Sequence, residues 1–282
     1  IKTLVTELTS ALKAIEINTL SFDSHKNGVY LALLKALEQI MSSKGREIKD
    51  KQIQEMIEVF VDIMEKCTDI NIRKQTGNTY GACIGQSDLP HHTISFPSEI
   101  SEVLAIGGMT KHCPDKIDLD HSVSLLEDIL SSEENLNTDT TTIALECVPL
   151  MLIQTKCGDW DALLKQLTFQ MEGSKSNLVR QTASSAIKTI ARKTSDATLL
   201  YPISLSILNA SKDKFVPVKI NIEWTMLYVF NLQGGNMRQL ENFFASNRDL
   251  QEEDVVALRE YAKRVIKNIG KSEYEIIRKE IK

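Results

Sequence analysis

A run of spaced glycines, a scatter of histidines and cysteines, and one basic stripe are the residues whose types and spacing could do chemistry. Gly77, Gly81 and Gly85 recur every four residues. A phosphate-binding loop would turn such glycines into a nest of backbone amides followed by Gly-Lys-Ser/Thr, and no such triplet follows. Spacing of four instead places them on one helical face, where the missing Cβ lets a second helix come close. Each glycine costs up to about 1 kcal/mol of helix propensity relative to alanine, so packing must supply the compensating gain. His91 and His92, or His112 and Cys113 with His121, suggest metal, but a structural zinc site takes four ligands, usually in short-spaced pairs. The set is incomplete, so neither metal nor cofactor is expected. Cys67, Cys83, Cys113, Cys147 and Cys157 are odd in number and well spread, and most fall in apolar helical stretches, which predicts reduced thiols. No Cys/His signature marks a nucleophile, so no catalytic residue is assigned and no enzyme is expected. Arg259, Lys263, Lys267 and Lys271 follow at four-residue steps with Arg264 beside them, opposite an apolar helical face. Such a stripe could meet RNA phosphate or an acidic protein surface, or serve only as a solvated face.

The elements that must carry these residues are helices. Glycine (12) and proline (6) together make up 18 of 282 residues, about half of average usage, which argues against a turn-rich sandwich or barrel. Apolar residues at 42% and charged residues at 25% suit a soluble chain with a sizeable core. A net charge of −5 gives no whole-chain attraction to phosphate or anionic lipid. The longest apolar run, Ile143 to Ile153, contains Glu146 and Pro149 and falls well short of the roughly 20 residues of a membrane span. No membrane contact and no small-molecule substrate are expected, and the expected location is cytoplasmic. The chain begins at Ile1, inside an apolar-periodic stretch, and reads as a piece of something longer.

Apolar residues at helical spacing come in pairs of segments. Leu4, Leu8, Leu12 and Ile15 are followed by Val29, Leu33, Ala36, Leu37 and Ile40. Ile53, Ile57, Phe60 and Met64 precede the helix of the three glycines. Val123, Leu126, Ile129 and Leu130 precede Ile143 to Ile153, a stretch that Pro149 should kink or divide. Trp160, Leu163, Leu164, Leu167 and Met171 precede Val179, Ala183, Ala186, Ile187 and Ile190, and the last pair runs Leu199 to Leu208 and Val218 to Leu232. Anchors at Val29, Arg73, Val103, Thr142, Arg180 and Lys219 step by 44, 30, 39, 38 and 39 residues, near the roughly 40 to 47 of a HEAT or armadillo unit. The short step coincides with Pro90, His91, His92 and Pro97, which predicts a third unit that has lost most of its first helix. The predicted fold is all-α: a right-handed α-solenoid of HEAT/armadillo-like pairs over 1–235, about six units with the third shortened near 86–112. A helical cap and charged extension follow over 236–282. There Met237 to Phe244 forms a short helix, and Asp249 with Glu252 opens a helix carrying Val255, Leu258, Ala262, Val265 and Ile269 on one face.

HEAT second helices often begin with an acidic or amide residue, a valine and a basic residue, followed by a small one. Asn177-Leu178-Val179-Arg180 with Ala183 fits, as does Asp69 to Arg73 with Gly77, and Val216-Pro217-Val218-Lys219 fits loosely. The cap opens the helix, the apolar residue enters the core, and the long cation bridges towards the next unit. The runs VTELTSALKAIE, LLKALEQIM, MIEVFVDIMEKCTDINIRKQTGNTYGA and ILNASKDKFVPVK resemble the carboxyl-terminal HEAT-repeat region of the general control non-derepressible one family. What the resemblance implies is a non-catalytic, ribosome-associated, polysome-bound scaffold that engages stalled or collided ribosomes. Such a scaffold binds the RWD domain of the amino-acid-starvation kinase and helps it phosphorylate eukaryotic initiation factor two alpha. The alternative from the same architecture is a HEAT adaptor in nuclear transport, proteasome or microtubule assembly.

Overall fold

The computed structural model describes residues 1–14, 24–89, 94–131, 138–155 and 160–269. Among them all regular structure is helical. The chain divides into two compact bodies, Ile1–Leu126 and Glu127–Lys282, so the 235/236 boundary expected from sequence falls inside the second. Ile15, Pro90, His91, His92, Cys157 and the segment from Gly270 onward, with Lys271, lie outside the described residues, as does the side chain of Trp160.

The first body contains α1 (Lys2–Ala14), α2 (Ser24–Lys44), α3 (Asp50–Lys66), α4 (Ile70–Gln86) and α5 (Glu99–His112). Residues 87–89 and 94–98 carry no helix. Two faces differ from the sequence expectation. In α1 the buried residues are Val5, Thr9 and Leu12, while Leu4 is exposed. In α2 they are Tyr30, Leu34, Leu37 and Met41, and the anchor Val29 is exposed. Both segments have apolar residues in adjacent positions, so two faces one step apart fit the same period, and the core selects the one that holds the large Tyr30. Ile53, Ile57, Phe60 and Met64 of α3 are buried as the period requires.

α4 is the centre of this body, packing against α2, α3 and α5. Asp69 caps it, its carboxylate accepting from the Asn71 and Ile72 amides at 2.8 and 3.1 Å. The glycines explain the approach of α5. A Cβ on Gly77 would sit 2.4 Å from the Leu104 carbonyl oxygen, and one on Gly81 2.1 Å from the Gly108 backbone. A Cβ on Gly108, in turn, would lie 1.8 Å from the Gly77 oxygen. No side chain fits at any of the three. Gly85 is different: a Cβ there would meet Cys113 at an ordinary 3.4 Å, so close approach does not require that glycine.

The second body begins within α6 (Leu119–Ser131) and holds α7 (Thr138–Gln154), α8 (Trp160–Gly173), α9 (Asn177–Lys193), α10 (Ser204–Ala210), α11 (Val216–Leu232), α12 (Met237–Ala245) and α13 (Glu252–Asn268). Here α9 is central, packing against α7, α8 and α11. Val179, Ala183, Ile187 and Ile190 line its inner face. Pro149 does not divide α7, which runs through it and forgoes one i to i−4 donor. α10 is shorter than expected because Ala197–Ile203, with Pro202, takes the tighter 3-10 form. Gly234 and Gly235 turn the chain after α11 with φ of 65° and 67°, where a Cβ would be strained. The start of α13 corrects the sequence reading: Gln251 caps it, its amide donating to the Asp254 carboxylate at 3.0 Å, while the Asp249 amide bonds Asn247. Both pairs obey the same three-residue spacing, and the turn on Asn247 delays the helix by two residues.

Two glycine substitutions should move stability in opposite directions. Gly81→Ala is expected to lower the stability of the N-terminal body by about 3 kcal/mol, as forced overpacking does. Gly28→Ala, exposed in α2 with nothing near a built Cβ, should raise it by up to about 1 kcal/mol. Urea midpoints of the two variants check both signs, and a wild-type midpoint for Gly81→Ala contradicts the close approach.

Candidate functional site

The sequence-derived candidates are placed as follows. The thiols of Cys67, Cys83 and Cys113 are free and buried, and Cys147 is buried as well. Burial raises the first three above the ordinary thiol value, Cys113 to about 11, so each stays protonated near neutral pH and is a poor nucleophile. His112 and Cys113 do not work together: the His112 Nε2 lies 2.9 Å from Glu38, while the Cys113 thiol donates to the Gly81 carbonyl at 3.5 Å. His121 lies 2.8 Å from Glu102. Among the described residues no cluster of three His, Cys, Asp or Glu is arranged to hold a metal. No described helix is long and apolar enough to cross a membrane.

Glu38 instead locks three helices of the first body. From α2 it accepts hydrogen bonds from Gln75 of α4 at 2.5 Å and from Lys111 of α5 at 2.7 Å, beside His112. Burial pushes its carboxyl up, but the donors outweigh that and hold it below the usual range.

The basic stripe on α13 is partly neutralised by its own neighbours. Arg259 reaches Glu241 of α12 at 2.9 Å and Glu260 at 3.2 Å, and Lys263 reaches Glu260 at 2.8 Å. Arg264 sits 5.1 Å from the Tyr261 ring. The exposed cations Lys263, Arg264 and Lys267 are what remains of the stripe among the described residues.

The second body contains a more developed site. Between α7 and α9 runs a groove of about 470 Å³. Its apolar lining is Pro149, Leu150, Leu178 and Ala186, and Gln181, Thr182, Ser185 and Thr189 add a row of uncharged polar groups from α9, with Glu146 on the α7 side. Leu178 is half exposed, at 52%. It precedes the buried Val179, out of phase with the inner face, which is the one signal in the sequence that α9 carries an outward apolar residue. Sequence reasoning missed this groove because it searched the period for buried residues alone.

On its other side α9 is tied to α11 by charge and amide. Arg180 clamps Asp213, which precedes α11, through Nε at 2.8 Å and Nη2 at 3.3 Å, and also holds the Ser174 carbonyl at 3.0 Å. The pair is largely buried, with side chains 15% and 12% exposed. Asp213 also accepts the Phe215 amide at 2.7 Å, so the clamp fixes the entry to α11. Further along, Lys188 donates to Asn221 Oδ1 at 2.7 Å, and Asn221 donates back to Ser184 at 3.0 Å.

Burial raises the Asp213 carboxyl, but the hydrogen bonds from Arg180 and the Phe215 amide leave it below its ordinary value. Its contribution to stability is therefore full above the unfolded Asp value of about 3.9 and is lost as pH falls through the lower folded value. Asp213→Asn should cost about 2 kcal/mol at pH 7, and the gap to wild type should narrow towards pH 3. Urea midpoints at the two pH values check this, and a gap independent of pH contradicts it. No family model matches the chain, and no curated protein matches it.

Proposed function

We propose that this chain is a non-catalytic scaffold segment of HEAT-like helix pairs, arranged as an α-solenoid, from a ribosome-associated translational regulator. In that role it presents helical surface to the translation machinery and helps a starvation-responsive kinase phosphorylate eukaryotic initiation factor two alpha. The observation that carries the reading is the Arg180–Asp213 clamp. A cation at the HEAT position of one second helix reaches forward 33 residues to the entry of the next, as a repeat joined to its neighbour requires. The succession of packed helices α2, α4 and α5 in one body and α7, α9 and α11 in the other agrees with it. Support for a binding role over catalysis comes from the groove chemistry: uncharged hydroxyls and amides beside apolar side chains can hold a partner, and they offer no activated nucleophile.

Sedimentation tests the reading. The tagged natural protein containing this chain is expected in polysome fractions after crosslinking. Changing Lys263, Arg264 and Lys267 to glutamate should leave the circular dichroism spectrum intact and reduce the ribosome-bound share several-fold. Absence of the natural protein from polysomes, or capture dominated by transport cargo, proteasome subunits or tubulin, contradicts the proposal and favours an adaptor of another assembly.

A further inference from the structure

The ridge of α9 that faces out beside the groove ends in two cations, of which Lys188 also bridges to α11 through Asn221 while Arg192 makes no such bridge. Lys188 and Arg192, one turn apart, follow Gln181, Ser185 and Thr189 along that ridge, each in the i+3 or i+4 relation to a groove-lining residue. Both are half-buried. Among the described residues neither cation meets a carboxylate, and Lys188 has only the Asn221 amide oxygen. The Arg192 Nε is shielded from solvent and has no hydrogen-bond partner. Burial and the Arg192 charge both push the Lys188 ammonium below its ordinary value. Two like charges, partly desolvated and without an anion, oppose folding, and an arriving carboxylate would relieve the repulsion.

We propose that the α7/α9 groove docks a protein segment that combines apolar side chains with a carboxylate, the apolar part lying among Pro149, Leu150 and Leu178 and the carboxylate on Lys188 and Arg192. From Leu178 to Arg192 the ridge rises about 21 Å at 1.5 Å per residue, which an extended segment of about six or seven residues spans. The floor chooses the class of partner. A nucleic acid would bring a phosphate every residue to a site with two cations, an apolar lining and the exposed Glu146 on the opposite wall. A peptide with one acidic end matches that uneven charge. This inference rests on the scaffold reading only in taking the partner to be a protein; peptide binding and polysome association can each fail without the other.

The test uses the intact chain and fluorescein-labelled octapeptides, read by anisotropy at low salt. One peptide carries two leucines followed by two glutamates, a second has lysines in place of the glutamates, and a third has serines in place of the leucines. The first should bind at least about tenfold more tightly than either other. Arg192→Glu, at a side chain with no hydrogen bonds to lose, should abolish the preference between glutamate and lysine peptides, and Arg192→Gln should reduce it. Leu178→Ser should weaken the first peptide, and melting midpoints equal to wild type show that the variants are folded. No binding by the acidic leucine peptide, equal binding of acidic and basic forms, an unchanged preference in Arg192→Glu, or displacement by an oligouridine RNA would each overturn the proposal.

Discussion

Backbone pressed on backbone, where α4 meets α5, is the constraint that organises the N-terminal body. Gly77, Gly81 and Gly108 leave no room for a single carbon, so the two helices lie closer than any pair with side chains between them. That proximity has consequences on both sides of α4. It aligns Lys111 and His112 with Glu38 across α4, where Gln75 completes the set. It also buries α4 on nearly every face, which is why Thr76 and Thr79 turn their hydroxyls back onto the Ile72 and Gln75 carbonyls. These two threonines are tolerated there because each hydroxyl finds a backbone carbonyl, Thr79 reaching Leu34 of α2 as well.

The C-terminal body solves the same problem by other means. Its central helix α9 has small residues Ala183, Ser184 and Ala186 on or beside the inner face, and it adds the Arg180–Asp213 clamp and the Lys188–Asn221–Ser184 chain towards α11. Where glycine sets the spacing in one body, directed hydrogen bonds set it in the other. The clamp is specific because a guanidinium offers several donors in a plane, and here they reach Asp213, Ser174 and Asn177 at once. Packed against α7, α8 and α11, the helix still leaves an outer ridge open, and that ridge forms one wall of the proposed docking groove.

Much of the helical architecture could be read from spacing. The inner faces of α3 and α9 follow the 3.6-residue period cleanly and are buried where the period places them, as are Leu163, Leu164, Leu167 and Met171 of α8. The period failed where apolar residues stand side by side, as at Leu4-Val5 and Val29-Tyr30, since only tertiary packing decides between the two faces. Gly77 and Gly81 announced a close approach, but their partner Gly108 could not be named because nothing local links positions so far apart in sequence. The charges of Lys188 and Arg192 were visible as letters. That they meet no carboxylate among the described residues depends on which side chains the neighbouring helices bring near, and that belongs to the fold alone.

The central claim is that each body is built around one inner helix, α4 or α9, held by its neighbours while the flanking helices depend on it. Native-state hydrogen exchange resolved by peptide reports this directly. The account predicts that amides of α4 and α9 exchange slowest in their bodies, ahead of α1 and α12, which open first. Exchange of α4 as fast as α1, or of α9 as fast as α12, would contradict it.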